Sequence, residues 1–156
     1  MKKSLFDPKV KQELVSRLDK LAENTVPQWG IMKPEQMVHH VYMATKIAAG
    51  ELKVPDRSSF FTRTVLRYFM LSGKVPSIKQ MEKRPIETME EFNMVKANIP
   101  YDDLNTERSR LKTQWEKLSS LTSFPERHPR IGKMNRDNWG QQLYAHANYH
   151  LTQFSV

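Results

Sequence analysis

The chain has 156 residues, no cysteine and a formal net charge of +8 at pH 7. This length suits one domain that folds without disulfides or a structural metal. The missing cysteine excludes a disulfide framework, a Cys-ligated zinc or iron–sulfur site and a protein thiol nucleophile. No apolar run is long enough to span a membrane, and the N-terminus lacks the apolar core of a signal peptide. We therefore expect a single domain over residues 1–156, in the cytoplasm and without a membrane anchor.

Prolines and glycines delimit the first two predicted helices, because proline in a helix interior costs about 3 kcal/mol. The first helix is predicted over residues 8–24, and the second over residues 34–49. Apolar residues share one face of the first helix: Val10, Leu14, Leu18 and Leu21. Pro34 suits the first turn of the second helix, and Gly50 is a natural C-terminal stop.

The third predicted helix covers residues 58–72, is densely apolar and ends at Gly73. We expect its aromatic residues to supply the side of the helix that packs on the core. Residues 74–100 follow as a long connection without a clean period, with room for one short helical piece.

The last two predicted helices cover residues 103–122 and 136–154. No internal repeat or linker divides the chain, and no stretch alternates apolar and polar residues for long enough to indicate a strand. The prediction is an all-α fold. Its simplest form is a four-helix bundle with an additional helix and a long connection before the fourth helix.

Two histidines interrupt the apolar stripe of the fifth helix. This stripe reads Trp139, Leu143, His146, His150 and Phe154. Residues four apart lie one turn above each other on the same face, so His146 and His150 can point at a common atom. A histidine pair with this spacing is typical of metal ligands.

The second helix has the same anomaly. Its inward stripe is best drawn through Met37, His40, Val41, Ala44 and Ile47. His39 lies about 100° round the helix, and we expect it to face solvent. Three buried neutral imidazoles each need a partner, and one metal ion can serve all three. Three protein ligands leave a fourth position open, as in catalytic zinc sites.

A structural role for these histidines is the alternative to a metal site. A histidine on an apolar face is often a core residue that hydrogen-bonds to a nearby amide, hydroxyl or carbonyl. Four residues are close enough in sequence to be such partners: Gln36, Gln142, Tyr144 and Gln153. The spacing alone leaves both interpretations open.

Two blocks of the sequence resemble the DinB/YfiT-like superfamily, in particular an uncharacterised DinB-like branch. Residues 29–40 read WGIMKPEQMVHH, similar to a WGxMTxxQMxxH motif, and depart from it at Lys33, where threonine is common and caps the helix better. Residues 128–154 contain HP, GKM, WG and HANYHLTQF in the order of the family's C-terminal motif. The resemblance implies a four-helix bundle that holds a divalent metal on His40, His146 and His150.

The same resemblance implies an activity and an assembly. Characterised relatives include metal-dependent thiol S-transferases and maleylpyruvate isomerases that use small thiol cofactors. Relatives often form homodimers, and the apolar surface of the third helix is a candidate interface. Three imidazoles suit zinc, nickel, copper or iron(II), of which we favour zinc or nickel.

An open coordination position allows two reactions. The ion can lower the pKa of a bound water from 15.7 toward about 7 for hydrolysis, or it can bind a low-molecular-weight thiol as the thiolate. No general base is assigned. Tyr144 and Asn148 flank the ligand face, where we expect hydrogen-bonding or packing roles, and Glu35 lies to one side. His128, beside Pro129 in the loop before the fifth helix, is expected to be a solvated turn residue.

A basic stretch indicates a rival function. Residues 57–84 contain seven basic residues and one acidic residue, Glu82. Interleaved aromatic residues suit nucleic-acid stacking, but we expect the core to need these rings, which makes a nucleic-acid partner the weaker interpretation. A cationic rim would also attract an anionic small-molecule substrate. A metal-binding dimeric bundle without activity is the third alternative.

Overall fold

The computed structural model describes residues 2–75 and 89–156. These residues form five α-helices, one short hairpin and two irregular helical turns. The helices are α1 (Pro8–Asp19), α2 (Pro34–Ala48), α3 (Arg67–Ser72), α4 (Leu104–Ser120) and α5 (Arg136–Gln153). A π-helical turn (Thr62–Leu66) leads directly into α3, and a 3₁₀ turn (Glu90–Phe92) precedes α4. Strands β1 (Arg127–His128) and β2 (Gly132–Lys133) pair antiparallel.

Side-chain caps fix the start of three helices. Asp7, Asp103 and Asn135 each accept hydrogen bonds from backbone N–H groups in the first turn of α1, α4 and α5. Lys33 supplies no side-chain cap to α2, as its place in the motif predicted. Gln36 compensates, because its Oε1 accepts a hydrogen bond from the backbone N–H of Lys33 at 2.9 Å. Such caps satisfy donors that have no partner within the helix.

The helices pack round one apolar core. Both α1 and α2 contact α4 and α5, and α3 contacts α5. The largest fully buried side chains include Trp115 from α4, Trp139 from α5 and Phe154 just beyond it. The prediction of a mainly α-helical fold is confirmed. Within the described residues, no helix is both long enough and apolar enough to cross a membrane.

The third predicted helix is helical, but the prediction about its aromatic face is wrong. Of its aromatic residues, Phe60 is 85% exposed, and Phe61, Tyr68 and Phe69 are also more than half exposed. Only Leu71 of α3 is buried. The helix is held instead by a polar contact. The guanidinium of Arg67 donates to the carbonyl oxygens of Ile131 and Lys133 in the hairpin.

Other boundaries also differ from the predictions. Helix α1 ends at Asp19 rather than at residue 24, and the hairpin was not predicted. Residues 76–88 of the long connection lie outside the described residues, as do Lys79, Glu82, Lys83 and Arg84 of the basic stretch. Arg57 pairs with Glu91 at 2.6 Å.

Candidate metal centre

Three imidazoles from α2 and α5 meet inside the protein. His40 Nε2 lies 3.1 Å from His146 Nε2, and the rings of His146 and His150 have centroids 4.8 Å apart. One ligand atom from each histidine lies within 4.8 Å of the other two. The structure therefore brings together all three residues that the sequence predicted as metal ligands.

Local sequence explains this convergence. His146 and His150 are one turn apart on α5, and His40 lies on the face of α2 that packs against α5. Apolar neighbours bury both stripes, including Met37 on α2 and Leu143 on α5. Burial of these stripes between the helices forces the imidazoles into the same space.

Hydrogen bonds orient two of the rings. His40 Nδ1–H donates to the backbone carbonyl of Phe92 at 3.0 Å. His150 Nδ1–H donates to Gln153 Oε1 at 2.9 Å, and Gln153 Nε2 in turn donates to the carbonyl of Trp29 at 2.6 Å. Because each Nδ1 carries the hydrogen, each neutral ring presents a lone pair on Nε2, toward the cluster. Such outer hydrogen bonds are usual for metal-binding histidines.

The environment keeps these imidazoles neutral at pH 7. Burial lowers the pKa of His40 to about 4 and that of His150 to about 3. Burial also lowers the pKa of His146 well below its ordinary value, and the neighbouring His150 and His40 lower it further. Neutral imidazole is the form that binds a metal ion, so a site of this kind is ready for a cation without prior deprotonation.

The spacing of the nitrogens fits a divalent metal. Nitrogens at 2.0–2.1 Å from a tetrahedral ion are about 3.3 Å apart. The observed 3.1 Å between two Nε2 atoms and the 4.8 Å limit for the set need only small side-chain adjustments. His146 is somewhat more exposed than His40 and His150. The three histidines could hold a metal ion, and three protein ligands would leave a fourth position open.

His39 does not face solvent, and that prediction is wrong. The residue is buried, and its Nδ1–H donates to Glu107 Oε2 at 2.9 Å. Glu107 is 0% exposed, and its other oxygen accepts from Arg110 and from the backbone N–H of Asp102. Glu107 on α4 supplies the polar contact that we expected from solvent. The spacing of residues on α2 alone could not indicate this partner.

His128 is also buried, so the prediction of a solvated turn is wrong. Its ring packs on Trp139, with centroids 5.4 Å apart, and its Nδ1 accepts a hydrogen bond from the backbone N–H of Arg130 at 3.1 Å. Burial lowers the pKa of His128 to about 4, and the positive charges of Arg130 and Arg67 lower it further. The β1–β2 hairpin folds this residue onto α5.

The polar residues that flank the ligand face have structural contacts. Asn148 accepts a hydrogen bond from Arg17 at 2.6 Å and donates to the carbonyl of Gly73. The ammonium of Lys3 lies 5.5 Å from the ring centroid of Tyr144. These contacts agree with the predicted hydrogen-bonding and packing roles.

A groove of about 1090 Å³ lies between residues 23–35 and 101–104. None of the residues that line it is a histidine.

Comparison with known proteins identifies the family of the chain. No curated protein and no solved structure matches the chain. Residues 4–156 match the family described as "Protein of unknown function (DUF1569)", and the chain therefore belongs to that family.

Proposed function

We propose that the protein is a metal-dependent enzyme that acts on a small molecule. A divalent transition metal, zinc or nickel, is held by His40, His146 and His150. The observation that carries this proposal is the convergence of three neutral imidazoles within 4.8 Å, two of them with Nδ1 already engaged. A cation would bind these ring nitrogens and replace the contact between His40 Nε2 and His146 Nε2, which lie 3.1 Å apart.

The bound ion would supply Lewis-acid chemistry at its open position, for water or for a low-molecular-weight thiol. Both a hydrolase and a thiol-dependent S-transferase fit this description. The chain has no cysteine, so a thiol would have to arrive as a cosubstrate. The net charge of +8 favours an anionic substrate.

The resemblance to the DinB/YfiT-like superfamily belongs to the same proposal. Its four-helix bundle is supported by the contacts of the long helices. The contacts that support it are those of α1 and α2 with both α4 and α5, and α3 contacts α5. The ligands come from the second helix and the last one, as the resemblance implies. Cytoplasmic localisation, which the lack of cysteine favours, completes the proposal.

Elemental analysis tests the metal centre. Protein purified without a chelating column and offered zinc or nickel is expected to retain about one equivalent of metal, which His40→Ala and His150→Ala lose. His39→Gln is the matched control. It changes the neighbouring histidine and keeps a donor for Glu107, so it should retain the metal. An absence of bound metal in the parent protein would refute the proposal.

The exposed aromatic residues near α3 favour a second property, self-association. Phe60, Phe61, Tyr68 and Phe69 are each more than half exposed, and we propose that together they form an aromatic face that pairs two copies in a homodimer. Aromatic residues are enriched at protein–protein interfaces. Because these rings are exposed, the core does not use them, and this expected use was an argument against a nucleic-acid partner. However, the guanidinium groups of Arg57 and Arg67 are engaged within the chain, which weakens that alternative.

A catalytically inactive metal-binding dimer is the remaining alternative. It shares the metal content and the assembly of the proposed enzyme and differs only in turnover. Tight, salt-sensitive nucleic-acid binding that persists in His146→Ala would instead favour the nucleic-acid alternative.

A further inference from the structure

The groove between residues 23–35 and 101–104 has a charge opposite to that of the whole chain. Four acidic residues and one basic residue line it, a local formal charge of −3, whereas the chain carries +8. The acidic residues are Glu23, Glu35, Asp102 and Asp103, and the basic residue is Lys33. A cationic ligand that the net charge of the chain repels is therefore attracted to this groove.

Two of these carboxylates are available to a ligand. The carboxylate of Asp102 pairs with Arg110, and that of Asp103 caps α4. Glu23 and Glu35 have no ion pair with any residue that the structure describes. Because no described cation neutralises them, each can accept a charge-assisted hydrogen bond from an ammonium or guanidinium group of a ligand.

Exposed apolar side chains line the same groove. Val26 and Ile31 are each 79% exposed, and Tyr101 is 36% exposed. Exposed apolar side chains that occur singly are normal on protein surfaces, but several in one groove indicate a binding surface. The lining therefore suits a ligand that carries apolar groups together with positive charges.

The size and the mixed lining of the groove favour a peptide over a small molecule. Its volume of about 1090 Å³ is above the range of about 300–1,000 Å³ that is typical of small-molecule pockets. In an extended peptide, the long stem of a lysine or arginine allows its charge to reach a carboxylate while neighbouring apolar side chains contact apolar walls. We propose that this groove binds an extended segment of a partner protein in which basic and apolar residues alternate. The inference is independent of the proposed metal centre.

Fluorescence anisotropy of a labelled peptide of alternating lysine and leucine tests the inference at low salt, where exposed charge pairs are least screened. We expect the double substitution of Glu23→Lys and Glu35→Lys to weaken binding at least about tenfold relative to the parent protein. The matched control is Glu90→Lys with Asp137→Lys. These two exposed residues lie outside the groove, and their reversal changes the net charge by the same amount. The control should bind the peptide like the parent protein.

A further variant tests the apolar part of the groove. Ile31→Ser keeps the charge of the groove, so we expect it to weaken binding of the lysine–leucine peptide and to leave binding of a lysine–serine peptide unchanged. Equal affinity of the parent protein for the two peptides would show attraction to positive charge alone and would overturn the inference. Equal affinity of the doubly substituted groove variant and its control, or no binding to the parent protein, would overturn it as well.

Sedimentation velocity tests for a second copy of the chain in the groove. A parent dimer that the substitutions at Glu23 and Glu35 dissociate would identify such a copy as the occupant and would also overturn the inference. The metal content of the same samples reports on the proposed metal centre separately, so the failure of one proposal is distinguishable from the failure of the other.

Discussion

At the scale of single residues, the amide of Gln153 connects the candidate metal centre to the loop before α2. Its Oε1 accepts from His150 Nδ1–H, and its Nε2 donates to the carbonyl of Trp29. The space around this contact is tight, since a Cβ on Gly30 would meet Gln153 Nε2 at 2.8 Å. The ring of His150 is therefore held by a side chain that is itself held at both ends.

Replacement of Gln153 tests this arrangement. Gln153→Leu removes the acceptor for Nδ1–H, so the ring of His150 loses its fixed tautomer and orientation. We expect metal affinity to fall by about 10- to 100-fold, as for other outer partners of metal-binding histidines. Competition with a chromophoric chelator measures the change. An unaltered affinity would show that Gln153 serves the fold alone.

His128 predicts a pH dependence of stability. Burial and two arginines lower its pKa to about 4 in the folded protein, whereas the unfolded chain has the ordinary value of 6.5. Between these values the unfolded state binds more protons, so stability falls as the pH falls below about 6.5. From pH 7 to pH 5, we expect the parent protein to lose about 2 kcal/mol more of its free energy of unfolding than His128→Gln. Urea denaturation of both proteins at the two pH values measures this difference, and parallel pH profiles would contradict it.

At the scale of elements, the sequence predicted α2 and α5 closely and α3 poorly. Proline at the start of α2, glycine after it and an apolar stripe with regular spacing are local signals, so they can be identified without tertiary information. The hairpin depends on Arg67 of α3, which holds the carbonyls of Ile131 and Lys133 from across the fold. The aromatic density of α3 indicated a buried face, because periodicity does not distinguish the core from an exposed apolar surface.

The candidate site also has a part that the sequence predicted and a part that it did not. His40, His146 and His150 could be predicted because each interrupts an apolar stripe. The bonds from His40 to Phe92 and from His39 to Glu107 join residues far apart in the chain, and no pattern within one helix indicates them.

The contact between α2 and α4 contains a buried carboxylate, and its removal should lower the free energy of unfolding. Glu107→Ala leaves the donors of His39 and of the backbone of Asp102 without their acceptor, while Arg110 keeps its ion pair with Asp102. We expect the free energy of unfolding to fall by about 3 kcal/mol, the cost of breaking a buried polar pair. Chemical denaturation at pH 7 provides the measurement. Glu116→Ala, on the same helix but exposed, should cost less than about 1 kcal/mol. Equal losses in the two variants would contradict the role of burial.

At the scale of the whole molecule, the chain has a net charge of +8, and its described part exposes the aromatic rings of Phe60, Phe61, Tyr68 and Phe69, the proposed aromatic face. Fully buried aromatic side chains cover 150–250 Å² each, so the four exposed rings offer about 500 Å² per chain. Two copies would bury about 1,000 Å², which is at the lower limit for a specific interface. The estimated buried area therefore suits a weak dimer and is close to the minimum for a specific interface.

This limited area makes the proposed dimer sensitive to small changes. The double substitution of Phe60→Ser and Phe61→Ser removes the two most exposed rings while leaving the buried Leu71 in place. We expect sedimentation velocity to show a concentration-dependent dimer for the parent protein and a monomer for the variant, with unchanged metal content in both. A control with Val26→Ser, an apolar residue of similar exposure in a separate loop, should dimerise like the parent. A parent protein that stays monomeric at high concentration would exclude the aromatic face as a self-association surface. A variant that still dimerises would place the interface elsewhere.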